Sequence, residues 1–249
     1  ALIPAAILSD ENVTIKNVPN ISDKQALIDI IELLNGQVID ENHILKIDTH
    51  NIKSEKIPEE YASKLRASYY FMGSLLGRKK HVEISFPGGC NIGDRKIDFH
   101  LKGFQALGAT IKQENDKYII DAEELRGTSI YLDFASVGAT INIMLAAVKA
   151  KGETVIHNAA KEPDVVNVAD LLNNMGAKIT GAGTDTIKIT GVTYLHEAQI
   201  EVIPDRIEAG TYLILGALIG NNLKIENIIK AHLDALLAKL ISAGVPIEI

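Results

Sequence analysis

The residue types best suited to chemistry gather in one stretch, Phe86-Pro87-Gly88-Gly89-Cys90-Asn91-Ile92-Gly93-Asp94-Arg95-Lys96-Ile97-Asp98-Phe99-His100, which holds the chain's single cysteine. Pro, three Gly, Asn and Asp crowd its first nine residues, so the stretch reads as a loop. A thiol there, close in sequence to Arg95, Lys96 and His100, suits proton transfer or nucleophilic attack, because nearby cations tune its pKa. An incidental exposed cysteine in a long turn fits the same residues. A second stretch, Phe134-Ala135-Ser136-Val137-Gly138-Ala139-Thr140, leads into an apolar helix. Ser136 suits an N-cap, and the free N–H groups behind such a cap attract phosphate. An ordinary cap is the simpler reading of that stretch alone.

Other chemistries are disfavoured. The seven histidines have no ligand spacing, and one cysteine makes neither a Cys-based zinc site nor an internal disulfide. Gly181-Ala182-Gly183 precedes a strand rather than a helix, so it reads as a hairpin turn and not a dinucleotide loop. The formal charge of −7 argues against a nucleic-acid binder working by general basicity. Residues 61–102 differ, with eight Lys/Arg against three Asp/Glu, a local +5 that leaves −12 on the rest. Such an island suggests a small anionic ligand, although Arg78-Lys79-Lys80 also reads as a solvated turn. The longest apolar stretch, residues 212–220, is too short to span a bilayer. A reducing, cytoplasmic setting is expected.

The elements that must position these residues come from an internal repeat. Hydrophobic residues at 47% and charged residues at 23% indicate a globular chain. A phrase of helix end, Gly and strand recurs with glycines at 36, 108, 176 and 244, spaced by 72, 68 and 68. Strands with an Ile at 15, 84, 156 and 225 recur at 69, 72 and 69. Each unit reads as a small-residue apolar helix (1–8, 67–76, 139–150, 209–219), a strand, an amphipathic helix such as 165–175 closed by a left-handed Gly, and a hairpin. The expected fold class is α/β in α+β repeats. Residues 1–204 are expected to form a complete three-unit domain and 205–249 the truncated start of a second. The start at Ala1 without Met and the stop at Ile249 read as cut edges.

With these motifs in view, the chain closely resembles the enolpyruvyl transferases of the UDP-N-acetylglucosamine 1-carboxyvinyltransferase branch. Phe86-Pro87-Gly88-Gly89-Cys90-Asn91-Ile92-Gly93-Asp94-Arg95 is similar to that branch's catalytic loop. Four more stretches agree in order: Leu65-Arg66-Ala67-Ser68, Ser136-Val137-Gly138-Ala139-Thr140, Asn158-Ala159-Ala160-Lys161-Glu162-Pro163 and Pro204-Asp205-Arg206-Ile207-Glu208-Ala209-Gly210-Thr211. The shikimate-pathway relatives share the repeat but not the cysteine loop.

The resemblance implies an inside-out α/β barrel, with three βαβαββ units per domain and a cleft between domains. It implies transfer of enolpyruvyl from phosphoenolpyruvate to the 3-hydroxyl of UDP-N-acetylglucosamine with release of phosphate, the first committed step of peptidoglycan synthesis, without metal or cofactor. That step serves cell-wall biogenesis, cell shape and cell division. By the same resemblance, Cys90 is the general acid and the residue alkylated by fosfomycin. A thiol of ordinary pKa, about 8.5, is mostly protonated at neutral pH, as a donor must be. Arg95 contacts phosphoenolpyruvate and Arg66 lies near the sugar nucleotide. The strip Arg95-Lys96-Ile97-Asp98-Phe99 binds uridine, largely through backbone, with Lys96 and Phe99 standing where the branch often has Pro and Leu; His100 follows as a cleft residue. Ser136, Val137 and Gly138 match the diphosphate-side loop, and Asp205 and Arg206 the interdomain hinge. The remaining cleft groups of the family match no residue of this chain. A second reading is therefore a binding module that recognises the sugar nucleotide without turnover. Neither nucleic acid nor membrane insertion is expected, and oligomeric state is left open.

Overall fold

The computed structural model describes residues 1–88, 97–220 and 222–249. They form two compact units, Ala1–Val202 and Ile203–Ile249. The first opens with α1 (Leu2–Ala5) and a 3-10 turn (Ala6–Leu8), then β1 (Val13–Lys16), α2 (Ser22–Leu33), β2 (Gln37–Glu41) and β3 (Ile44–Asp48). The second repeat is β4 (Lys56–Ile57), α3 (Glu59–Ala62), a 3-10 turn (Arg66–Tyr69), α4 (Tyr70–Lys79), β5 (His81–Ser85), α5 (Asp98–Ala106), β6 (Thr110–Glu114) and β7 (Lys117–Asp121). The third is β8 (Ser129–Tyr131), α6 (Val137–Ala147), β9 (Glu153–His157), α7 (Pro163–Asn174), β10 (Lys178–Thr180) and β11 (Thr186–Thr190), after which β12 (Ala198–Glu201) ends the unit.

The strands make three four-stranded sheets of one plan, ordered β12-β1-β3-β2, β4-β5-β7-β6 and β8-β9-β11-β10. In each, a short strand runs parallel to the central strand, and a hairpin adds antiparallel on its other side. For the first sheet that parallel strand is β12, with Val13 opposite Ala198. The unit's last strand thus completes its first sheet and closes the three repeats on themselves. The period-2 reading holds in β11, where Ile187 and Ile189 are buried and Lys188 is exposed. Its hairpin turns on Gly181 and Gly183, both at positive φ.

Helices apolar all round belong at a centre. Residues 71–77 of α4 and 139–147 of α6 are all buried. So are Ala5 to Leu8, and α4 packs on both α1 and α6. Small residues set the spacing. A Cβ on Gly73 would stand 2.3 Å from the backbone oxygen of Asn142, and one on Gly77 2.9 Å from that of Leu145. The sheets therefore lie outside the helices.

Several expectations need correction. Gly108, Gly176 and Gly244 take the left-handed conformation, but in the first repeat Asn35 does so (φ 73°), not Gly36. Asn tolerates this region when its side chain bonds locally, and Asn35 Nδ2 donates to the Asn51 carbonyl at 2.8 Å. Gly36 is small for another reason: a Cβ there would meet Ile31 Cγ2 at 2.6 Å. Asp98, Phe99 and His100 are not loop but the first turn of α5, because the Gly and Pro residues that break structure all lie upstream of them. The expected strand around Ile225 does not form. A strand exists by pairing, and the described residues of the second unit supply no partner for it.

That second unit holds α8 (Arg206–Ile219), a 3-10 turn (Lys230–His232) and α9 (Asp234–Ser242), joined through Ala209, Leu233 and Leu237. Helix α8 begins earlier than expected because Asp205 caps it, its carboxylate accepting from the N–H groups of Ile207 (2.7 Å) and Glu208 (3.1 Å).

Candidate functional site

Three segments far apart in sequence meet around the N-terminus of α6. Ser136 caps this helix, its Oγ accepting from the Ala139 N–H at 3.3 Å. Val137 and Gly138 form the first turn. A Cβ on Gly138 would lie 2.7 Å from Tyr69 Oη and 3.1 Å from His100 Cε1, so only glycine lets the helix end approach both rings. The Tyr69 and His100 rings meet edge to face, with centroids 4.7 Å apart. The Arg66 guanidinium stands 5.6 Å from the Tyr69 ring centre, a cation–π distance. Arg66, Tyr69, His100 and Gly138 are thus one contiguous cluster built from the second and third repeats, with His100 buried within it.

Beneath it lies Asn142, fully buried on α6. Its Oδ1 accepts from the Gly73 N–H at 2.8 Å, and its Nδ2 donates to the Tyr69 carbonyl at 2.8 Å. The same Nδ2 lies 2.9 Å from His100 Nδ1. One amide therefore ties α4, the Arg66–Tyr69 turn and α5 to α6. Burial, reinforced by the charge of Arg66, pushes the His100 imidazole down to about 3, so it is neutral at physiological pH. Neither Tyr69 nor Asn142 was singled out from sequence. The available signals were a Tyr in the turn that starts at Arg66, and one amide in a helix whose only other polar side chain is Thr140.

The remaining predicted site residues fall elsewhere. Ile97 is buried, Asp98 exposed and Phe99 half-buried, all at the start of α5. Cys90, Arg95 and Lys96 lie outside the described residues. Asp205 and Arg206 belong to the second unit, where Asp205 serves as the helix cap.

The positive island is partly internal. Arg78 is not a solvated turn residue: its Nη1 donates to the carbonyls of Ile7 and Ser9, and to Thr49 Oγ1 at 2.9 Å. Lys80 Nζ donates to the Gly77 carbonyl at 2.7 Å. Lys64 pairs with Asp29 and Lys102 with Asp133. Lys64, Arg78, Lys80 and Lys102 are thus held by groups of the protein itself.

The geometry offers a cation, an aromatic platform and a capped helix N-terminus side by side, which suits a phosphate-bearing ligand carrying a ring. Among the described residues, no group of three or more His, Cys, Asp or Glu could hold a metal ion. No helix among them is long and apolar enough to cross a membrane.

Comparison with known proteins extends the picture. The family model for EPSP synthase (3-phosphoshikimate 1-carboxyvinyltransferase) matches residues 1–249. A UDP-N-acetylglucosamine 1-carboxyvinyltransferase 2 of Listeria monocytogenes is 55% identical over 249 residues, covering 100% of this chain and 59% of that protein. The like-named protein of Bacillus anthracis is 54% identical, with 58% of it covered. The chain thus spans about three fifths of the length of these curated relatives. Among solved structures, the enolpyruvyl transferase NikO from Streptomyces tendae superposes with a TM-score of 0.86 at 21% identity, over 100% of this chain and 60% of that one. An EPSP synthase from Acinetobacter baumannii gives 0.66 at 19% identity, over 87% of this chain and 51% of that one. At such identities the likeness is one of fold.

Proposed function

The chain belongs to the EPSP synthase family of carboxyvinyl transferases, and from that premise we propose that it is the cysteine-loop part of a UDP-N-acetylglucosamine 1-carboxyvinyltransferase. Its fold is the inside-out α/β arrangement of the enolpyruvyl transferases. The proposed reaction moves enolpyruvyl from phosphoenolpyruvate to the 3-hydroxyl of UDP-N-acetylglucosamine. The hydroxyl oxygen adds to C2 of phosphoenolpyruvate and gives up its proton to solvent, while C3 takes a proton from Cys90. C3 then returns a proton as phosphate leaves, and the carbon–carbon double bond re-forms. This is a cytoplasmic step of peptidoglycan synthesis, and so one of cell growth and division.

One observation carries the reading from the structure's side. Arg66, read as lying near the sugar nucleotide, His100, read as a cleft residue, and Gly138, from the diphosphate-side loop Ser136-Val137-Gly138, come together around Tyr69. Arg66 supplies charge to a diphosphate, and the α6 N-terminus supplies N–H donors. In this reading Ile97, Asp98 and Phe99 flank the uridine at the start of α5. Arg95 is assigned to phosphoenolpyruvate, Lys96 to the uridine-binding strip with Ile97, Asp98 and Phe99, and Asp205 and Arg206 to the hinge. The identity to the named relatives, together with the Pro-Gly-Gly-Cys loop, favours the nucleotide sugar over shikimate phosphate as acceptor.

The test is phosphate release by the full-length enzyme given phosphoenolpyruvate with either UDP-N-acetylglucosamine or shikimate 3-phosphate, alongside intact mass after fosfomycin. Turnover with the nucleotide sugar and a fosfomycin adduct on Cys90 are expected. Turnover with shikimate 3-phosphate instead, or full activity in Cys90→Ala, would refute the reading.

A further inference from the structure

The amide of Asn142 has no freedom to flip. The Gly73 N–H can only donate, so it must meet the oxygen; the Tyr69 carbonyl can only accept, so it must meet the NH2 group. The hydrogen left over on Nδ2 points at His100 Nδ1, 2.9 Å away. That ring nitrogen must therefore be the acceptor and carry no proton. A proton on Nδ1 would set two donors against each other inside a buried network, where an unmet donor is costly. The cation form is excluded by the same contact. The groups facing the ring agree: Arg66 is a cation, and Tyr69 presents its aromatic ring.

We propose that Asn142 is a positioning residue that fixes His100 as the neutral, Nε2-protonated tautomer, so that the ring meets a ligand as a hydrogen-bond donor and takes no part in proton transfer. A site for polyanions would be expected to use histidine as a cation. Here the buried amide forbids it, and the ring supplies a donor to an oxygen acceptor without adding charge beside Arg66. The ligand half of this statement rests on the nucleotide-sugar reading, whereas the tautomer half does not.

Long-range 1H–15N correlation spectra of the histidine-labelled chain test it, with the His100 signals identified by their loss in His100→Gln. Between about pH 5 and 8, His100 is expected to keep one protonated nitrogen, Nε2, and one bare nitrogen, Nδ1. A midpoint within that range, or a proton on Nδ1, would overturn the proposal. Asn142→Asp places an acceptor against Nδ1, so His100 should there gain an Nδ1 proton; unchanged His100 signals in a folded Asn142→Asp would remove Asn142 from the role. Adding UDP-N-acetylglucosamine to the wild-type chain should shift the Nε2–H resonance downfield. A ring that keeps its tautomer but ignores the nucleotide sugar contradicts the functional reading; a ring that titrates contradicts the role of Asn142.

Discussion

Replacing Gly73 by Ala should destabilise the first unit far more than a helix propensity scale suggests. The added Cβ would stand 2.3 Å from the Asn142 backbone oxygen and 2.4 Å from its Oδ1. Neither atom is the free end of a flexible side chain, so α4 and α6 must part. Overpacking of this kind costs about 1–3 kcal/mol. Separation also stretches the buried Gly73 N–H to Oδ1 bond, 2.8 Å long, at about 1–3 kcal/mol. Ala regains about 1 kcal/mol of helix propensity. The net is about 3 kcal/mol, or roughly 6–12 °C in Tm for a unit of this size. Gly152→Ala is the control. Gly152 has φ +93° and nothing within 4 Å of a built Cβ, so only backbone strain of about 1–2 kcal/mol applies. Far-UV circular dichroism against temperature and urea reads both variants. If Gly73→Ala proves as stable as Gly152→Ala, the close crossing of α4 and α6 is wrong.

Three more perturbations probe other parts of the account. Arg78→Met keeps the aliphatic stem but strips donors from the Ile7 and Ser9 carbonyls and Thr49 Oγ1, and should cost about 2–4 kcal/mol; an unchanged urea midpoint would return Arg78 to the role of solvated turn residue. Burial tends to raise the Asp10 carboxyl, but the Leu195 N–H, the Lys149 ammonium and the Arg78 charge outweigh it and hold it below its ordinary 3.8. Its folded pKa being depressed, its contribution is present above pH 3.8 and is lost as pH falls through the lower folded value. Asp10→Asn should therefore flatten the acid limb of stability against pH, and an identical limb would contradict the assignment. Helix α8 exposes Leu218 and Ile219 at 76% and 77% beside Tyr212, Ile214 and Leu215. This apolar face should make the chain bind a hydrophobic dye and self-associate, both reduced in Leu218→Lys/Ile219→Lys by light scattering; equal association in that variant would sink the idea.

What sequence could reveal was set by range along the chain. The repeat was legible because each unit writes its own helix, strand and hairpin locally, and Gly108, Gly176 and Gly244 end helices as read. Asn35 escaped because the adjacent Gly36 fits the same phrase, and only the Asn51 contact distinguishes them. The closure of the first sheet by β12 was not legible, since Val13 and Ala198 meet only in three dimensions. The surface of the candidate site was half legible. Arg66, His100 and Gly138 came through their motifs, whereas Tyr69 and Asn142 act through contacts spanning 31 and 42 or more residues, which no local pattern encodes. The Ile225 triplet misled for the converse reason: alternation proposes a strand, but pairing makes one.

Calorimetric titration of this chain with UDP-N-acetylglucosamine, beside shikimate 3-phosphate and an Arg66→Ala variant, tests the central claim most directly. The account predicts saturable binding of the nucleotide sugar at one site per chain, lost in Arg66→Ala, and no comparable heat with shikimate 3-phosphate. Preferential binding of shikimate 3-phosphate, or nucleotide-sugar binding indifferent to Arg66, would contradict it.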